Sequence, residues 1–204
     1  MYAAVVGRSV PILKQEWDIH LQCDLKSRKS VENLIFHLES LFKGGTTLKE
    51  FYWVSGSLNR IPFLEISDDQ IINMIDVNFS NSILIARWVW KHLQSSRSPS
   101  SFVVIASTVG VSLAPRDDEA VYAATKAAQV SFTRAIGKQN KNPSLKTCLF
   151  CPGGMKTDFW KTNAVERSDF ESFLDPVMVA RKVVTEVTNQ KEGYLEMTIP
   201  RGSL

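Results

Sequence analysis

With 204 residues, 44% of them hydrophobic and 22% charged, the chain has the composition of an ordinary globular protein of one domain spanning 1–204. A net charge of +3 without Lys/Arg blocks argues against a nucleic-acid footprint or a polybasic membrane anchor, so neither partner is expected. No apolar stretch approaches the roughly 20 residues that span a bilayer, and Cys23, Cys148 and Cys151, an odd number in apolar surroundings, have no Cys/His zinc spacing. Reduced thiols, a soluble cytoplasmic protein and no metal site are the expectations.

Short β-branched runs alternate with helical patterns throughout, which predicts an α/β fold: a doubly wound, mostly parallel, Rossmann-like sheet with helices on both faces. In chain order, Tyr2 to Val6 and Ile19 to Cys23 read as strands, and Ser30 to Phe42 as a helix ended by Gly44-Gly45. Phe51 to Val54 reads as a buried strand. Ser67 with Gln70 three positions on forms a capping-box pattern that opens one long helix to about Leu93, with an apolar stripe through Ile71, Ile75, Phe79, Ile85 and Val89. In it Trp88 and Trp90, two apart, cannot share one stripe, which places one of them at a subunit contact.

A serine-rich loop, Ser95 to Ser101, leads to a strand from Phe102 to Ala106, and a helix follows from about Glu119 to Lys138. Its Ala123, Ala124, Ala127 and Ala128 leave room for a neighbouring backbone. Leu145 to Phe150 is a strand, Asp175-Pro176 starts the last helix, and Tyr194 to Ile199 closes the sheet.

Chemistry concentrates on Tyr122-Ala-Ala-Thr-Lys126, where helical spacing puts a phenol and an ammonium on one face. A free tyrosine titrates at about 10, and a fixed cation nearby favours its phenolate, so the pair suits proton transfer. By itself this spacing is common by chance. Ser107 lies just past a strand, 15 residues before Tyr122, at the carboxyl end of the sheet where ligands bind, and its hydroxyl suits a developing oxyanion; a simple serine turn is the other reading. Asn78 is polar in an apolar helix and requires a partner, and Cys151-Pro-Gly-Gly-Met-Lys-Thr157 makes a tight turn after a strand.

In this order, over nearly the whole chain, these residues resemble the short-chain dehydrogenase/reductase family of the NAD(P)-binding Rossmann superfamily. The resemblance implies that Asn78, Ser107, Tyr122 and Lys126 are a catalytic tetrad. Tyr122 would be the acid/base, Lys126 would lower its pKa and hold the nicotinamide ribose, Ser107 would polarise a carbonyl, and Asn78 would anchor a water in the proton relay. It also implies cofactor contacts from Pro152, Gly153 and Thr157, and from Ser55 and Gly56 in Trp53-Val-Ser-Gly56, where the family usually has Asn-Asn-Ala-Gly. Cys23-Asp24-Leu25 would bind adenine, and Arg8 would meet the 2′-phosphate of NADP, which a planar guanidinium suits. The implied function is an NADP(H)-preferring oxidoreductase, with NAD the other cofactor, acting on a small carbonyl or secondary alcohol as a homodimer or homotetramer.

The family's glycine-rich phosphate turn is not found. Either Tyr2 to Val6 takes the place of the family's second strand, so that the first βα unit is lacking, or it is the first strand with Gly7-Arg8-Ser9 as a reduced turn and Pro11 to Trp17 as a stunted helix. A third reading puts further sequence before Met1. A catalytically silent binding or regulatory protein is the alternative function. The residues Arg116-Asp117-Asp118-Glu119 read as an acidic exposed loop, and Phe159 to Leu174 as a substrate lid.

Overall fold

The computed structural model describes residues 4–7, 19–43, 45–112, 116–160, 167–191 and 193–204. Arg8, Gly44, the 8–18 connection and the centre of the expected lid lie outside them. All strand pairs are parallel. β1 (Ala4–Gly7) pairs with β2 (Ile19–Gln22), while β3 (Glu50–Trp53), β4 (Ser100–Ile105), β5 (Leu145–Pro152) and β6 (Tyr194–Ile199) form a second ladder in that order. Among the described residues no ladder joins β1 to β3.

Alternation along β4 sends Phe102 and Val104 to one face and Val103 and Ile105 to the other, and both faces are covered. The first face packs against α1 (Arg28–Phe42) and the aromatic-rich helix that precedes β4. The second packs against α6 (Pro176–Asn189) through Val179, Val183 and Val187. All six side chains of β4 are buried, which is why it reads as a continuous apolar run rather than an alternating one. Among the described residues no helix is long and apolar enough to cross a membrane.

The helix expected from Ser67 to Leu93 is three pieces: α2 (Asp68–Ile75), a π-turn over Asp76–Ser80, and α3 (Asn81–Gln94). The Ser67/Gln70 capping box is present at its start. In the π-turn the Asn81 N–H bonds Asp76 O five residues back, and Ser82 Oγ donates to Val77 O at 2.7 Å. Trp88 and Trp90 are both engaged inside the protomer. Trp88 Nε1 donates to Glu39 on α1, and Trp90 stacks edge-on to Phe102 of β4. Both rings thus have partners within the protomer, because α3 is covered on two sides.

The helix α1 begins two residues before the expected start, with Ser27 as its cap, and Gly45 beyond its end takes a left-handed φ of 82°. The helix α4 (Ala120–Gln139) does allow a backbone to approach: a Cβ on Gly110 would lie 2.7 Å from the Lys126 carbonyl carbon. The last helix starts as expected, with Asp175 capping Val177 N and Met178 N and Pro176 in the first turn; α5 (Arg167–Glu171) lies before it.

Candidate active site

Parallel strands deliver their carboxyl ends to one side of the sheet, and the candidate residues collect there. Gly56 follows β3, Ser107 follows β4, Pro152 ends β5, and the start of α4 supplies Tyr122 and Lys126. Together with Gly153 and Thr157 they line one pocket of about 430 Å³, with Arg116, Glu119, Phe159, Trp160 and Arg201 on its walls.

Ser107 caps the short 3-10 turn Thr108–Gly110 by accepting from Val109 N at 3.3 Å, and it lines the pocket together with Tyr122. Burial pushes the Tyr122 phenol up to about 12, outweighing the hydrogen bond from Ser107, which lowers it, while the Glu119 carboxylate adds to the rise. The same burial brings the Lys126 ammonium down to about 8, with a smaller opposing contribution from Cys151. Lys126 Nζ lies 5.8 Å from the centre of the Tyr122 ring. In this state Tyr122 is therefore a neutral proton donor at neutral pH, and the field of Lys126 does not overcome its desolvation.

Asn78 is fully buried behind the pocket rather than on its wall. Its Oδ1 accepts from Ser57 N at 2.6 Å, and its Nδ2 donates to Ser57 O and to Thr125 Oγ1, both at 2.9 Å. Thr125 Oγ1 donates in turn to Tyr122 O at 2.8 Å. Asn78 thus ties the loop after β3 and the π-turn to α4. Its carbonyl accepts from the side chain of Gln129 at 2.8 Å, a contact that no periodicity of apolar residues signals.

The other expected cofactor contacts, Asp24, Leu25 and Ser55, do not line this pocket. Asp24 is exposed, and its Oδ1 accepts from Lys26 N. Leu25 packs against the core while its carbonyl accepts from Asn81 Nδ2 at 2.8 Å. Ser55 does not line the pocket, whereas Val54 and Gly56 do. Arg8 lies outside the described residues.

The segment expected to be an exposed acidic loop is an ion-pair cluster. Arg60 holds Asp118 at 2.8 Å and Glu119 at 3.4 Å, and Glu119 is buried, with its carboxyl pushed up by desolvation against the pull of Arg116 and Arg60. Arg116 donates to Asp169 of α5 at 2.6 Å, and Arg201, stacked on Phe173, reaches the same carboxylate at 3.4 Å. Charge compensation from Arg60, far upstream, is what allows this segment to fold inward.

The residues fit one half of a nicotinamide dinucleotide. The pocket offers a hydroxyl pair and a buried cation beside backbone at Gly56 and Gly153, where side chains are absent. A Cβ on Gly56 would stand 3.5 Å from Lys126 Nζ, in the space a ligand would use. For the pyrophosphate half, no glycine-rich turn occurs in the sequence.

A doubly wound parallel sheet with a Ser, Tyr and Lys at its carboxyl edge defines a Rossmann-like dinucleotide-type site. The family described as short chain dehydrogenase matches residues 11–168, and the chain belongs to that family. It is 25% identical over 146 residues to a hydroxynaphthalene reductase of Aspergillus fumigatus, covering 72% of this chain and 50% of that protein. It is 30% identical over 105 residues to a 2,3-dihydro-2,3-dihydroxybenzoate dehydrogenase of Bacillus subtilis, covering 52% of this chain and 39% of that one. The chain thus spans half or less of the length of these curated relatives. Among solved structures, a short chain dehydrogenase family protein of Francisella tularensis superposes with a TM-score of 0.80 at 14% identity, covering 98% of this chain and 86% of that one. A short chain dehydrogenase of Burkholderia cenocepacia in complex with NADP gives 0.73 at 18% identity, covering 91% and 76%.

Proposed function

We propose that the chain carries the catalytic half of an oxidoreductase that moves a hydride between a nicotinamide cofactor, NADP(H) by preference, and a carbonyl or secondary alcohol. The observation that carries this reading is that Ser107, Tyr122 and the buried Lys126 line one pocket. When bound, the nicotinamide supplies or accepts the hydride. Ser107 then donates to the substrate oxygen as its charge grows, and Tyr122 gives that oxygen its phenolic proton in reduction or removes it in oxidation. Lys126 stabilises the phenolate that reduction leaves behind. Gly56, Pro152, Gly153 and Thr157 would wall the nicotinamide, and Lys126 would reach its ribose. Asp24 and Arg8 would serve the adenine and the 2′-phosphate, the guanidinium being the ground for preferring NADP.

The pairing of β1 with β2 alone supports giving Ala4–Gly7 the place of the family's second strand, because the order then leaves one strand position between β1 and β3. Phe159 and Trp160 on the pocket wall favour an apolar, ring-bearing substrate, in keeping with the naphthalene and benzoate compounds in the names of the two relatives. We assign a homodimer or homotetramer to the groove between α2 and α4, where Ile71, Ile75, Phe79, Ala124 and Ala128 form an open apolar surface with Phe63. Sedimentation velocity reads that assignment directly.

The central test is a fluorescence titration with NADPH and NADH. Saturable binding, tighter for NADPH and weakened selectively by Arg8→Ala, supports the reading. No binding of either at millimolar concentration would overturn it in favour of a silent binding protein. Tyr122→Phe is expected to keep cofactor binding and lose on the order of 10²-fold or more in turnover.

A further inference from the structure

Beneath the pocket, one face of α4 is buried and mostly polar: Tyr122, Lys126, Gln129 and Thr133 follow one another at helical spacing. Three of them have roles in the reading above or in the helix itself, since Thr133 Oγ1 donates to Gln129 O at 2.7 Å. Gln129 is different. It is a fully buried amide on a helix that could carry an alanine there, and a buried polar side chain is costly unless both its ends are bonded. Both are. Lys126 Nζ donates to Gln129 Oε1 at 2.9 Å, and Gln129 Nε2 donates to Asn78 O at 2.8 Å.

We propose that Gln129 is a positioning residue for Lys126, a neutral bracket that fixes the ammonium between the π-turn and β4 while leaving its charge uncompensated. The proposal deepens the oxidoreductase reading and rests on it for the word catalytic, but the coupling itself is independent of any cofactor. The bracket's orientation is dictated by its partners. Turned over, the amide would set N–H groups against an ammonium and an oxygen against a carbonyl. The second oxygen on Nζ is Ile105 O at 3.4 Å, also neutral, and Gly56 lies beside Nζ, where an added Cβ would stand 3.5 Å away.

The choice of an amide has a chemical consequence. A carboxylate in its place would form an ion pair with Nζ, cancel its field at Tyr122, and repel the Asn78 carbonyl. An apolar side chain would leave the ammonium with one long contact. Gln129 holds the charge in position without neutralising it, and Asn78, itself clamped by Ser57 and Thr125, anchors the far end. The titratable groups facing Nζ are Tyr122 on its own helix and the Cys151 thiol on β5, both pushed upward by burial and so neutral near pH 7.

The test uses the whole chain without cofactor, isotopically labelled at lysine side chains, with the Lys126 signal identified by its loss in Lys126→Met. Its NMR titration midpoint is compared in the wild type, Gln129→Glu, Gln129→Leu and Thr133→Val. We expect Gln129→Glu, which is nearly isosteric, to raise the midpoint by at least about one pH unit, a tenfold change in proton affinity. Gln129→Leu should lower it, and Thr133→Val, which perturbs the same helix without touching Nζ, should leave it in place. If Gln129→Leu does not fold, Gln129→Glu alone decides. A midpoint in folded Gln129→Glu equal to that of the wild type would overturn the proposal, and a loss of melting temperature alone would mark Gln129 as packing. Because no cofactor enters, failure here is separable from failure of the NADPH titration.

Discussion

Gly110→Ala is a test of how tightly Ser107 is held against α4. Gly110 closes the 3-10 turn that Ser107 caps, and its φ is not left-handed, so alanine is barred there only by space. A methyl group would lie 2.7 Å from Lys126 C, 2.8 Å from Lys126 O and 3.0 Å from Ala127 N, all backbone of α4. Carbon contacts settle at roughly 3.5–4.0 Å, so the turn must retreat by about 1 Å. Overpacking of this kind costs about 1–3 kcal/mol. Reduced freedom of the unfolded chain returns about 0.4–1 kcal/mol. The net loss of about 1–2 kcal/mol corresponds to a melting temperature lower by roughly 2–8 °C in a chain of this size. The same displacement separates Ser107 from Tyr122, and misplacement by about 1 Å costs on the order of 10²-fold in rate. Gly193→Ala is the control, since nothing lies within 4 Å of its added carbon, and it should melt with or slightly above the wild type. Scanning fluorimetry of the two variants side by side decides: equal melting temperatures would refute the close approach.

Thr125→Val removes the hydroxyl between Asn78 and the Tyr122 carbonyl inside the core, and chemical denaturation should show a loss of about 1–3 kcal/mol. Asp169→Asn releases α5 from Arg116 and Arg201; the melting temperature should hold while the Michaelis constant rises, and an unchanged constant would remove Asp169 from the pocket's closure. Burial raises the Cys148 thiol to about 12 from 9.0, so the folded chain keeps a proton that the unfolded chain releases. That stabilisation is complete below pH 9.0 and declines above it, so the stability of the wild type should fall relative to Cys148→Ala between about pH 8 and about pH 10 in urea titrations.

What the sequence disclosed was local or pairwise. The Ser67/Gln70 box and Asp175-Pro176 are read directly because a cap is made by residues three or fewer apart. Tyr122, Lys126 and Ser107 are legible because a helix repeat and a strand end are short-range facts. The π-turn at Asp76–Ser80 is not, since its residues are as compatible with an α-helix, and the difference comes from the tertiary bonds of Asn78. Gln129 escapes for a related reason: the buried stripe of α4 is polar, and apolar periodicity is silent about it. The inward fold of Asp118 and Glu119 depends on Arg60, which no local pattern links to them.

A π-turn amounts to one residue inserted into an α-helix, and at Asp76–Ser80 it acts as a phase shifter. Each residue turns a helix by about 100°, so the extra one lets the two halves address different neighbours. Ile71 and Ile75 of α2 open on the groove beside α4, while Ile85 and Val89 of α3 enter the core over the sheet. Deleting one residue such as Val77 would bring the halves back into a single phase. Either the groove face or the sheet face would then be wrongly aimed, and Asn78 would swing away from Thr125. One residue's worth of rotation therefore sets both what this helix shows in the groove beside α4 and what it holds beneath the pocket.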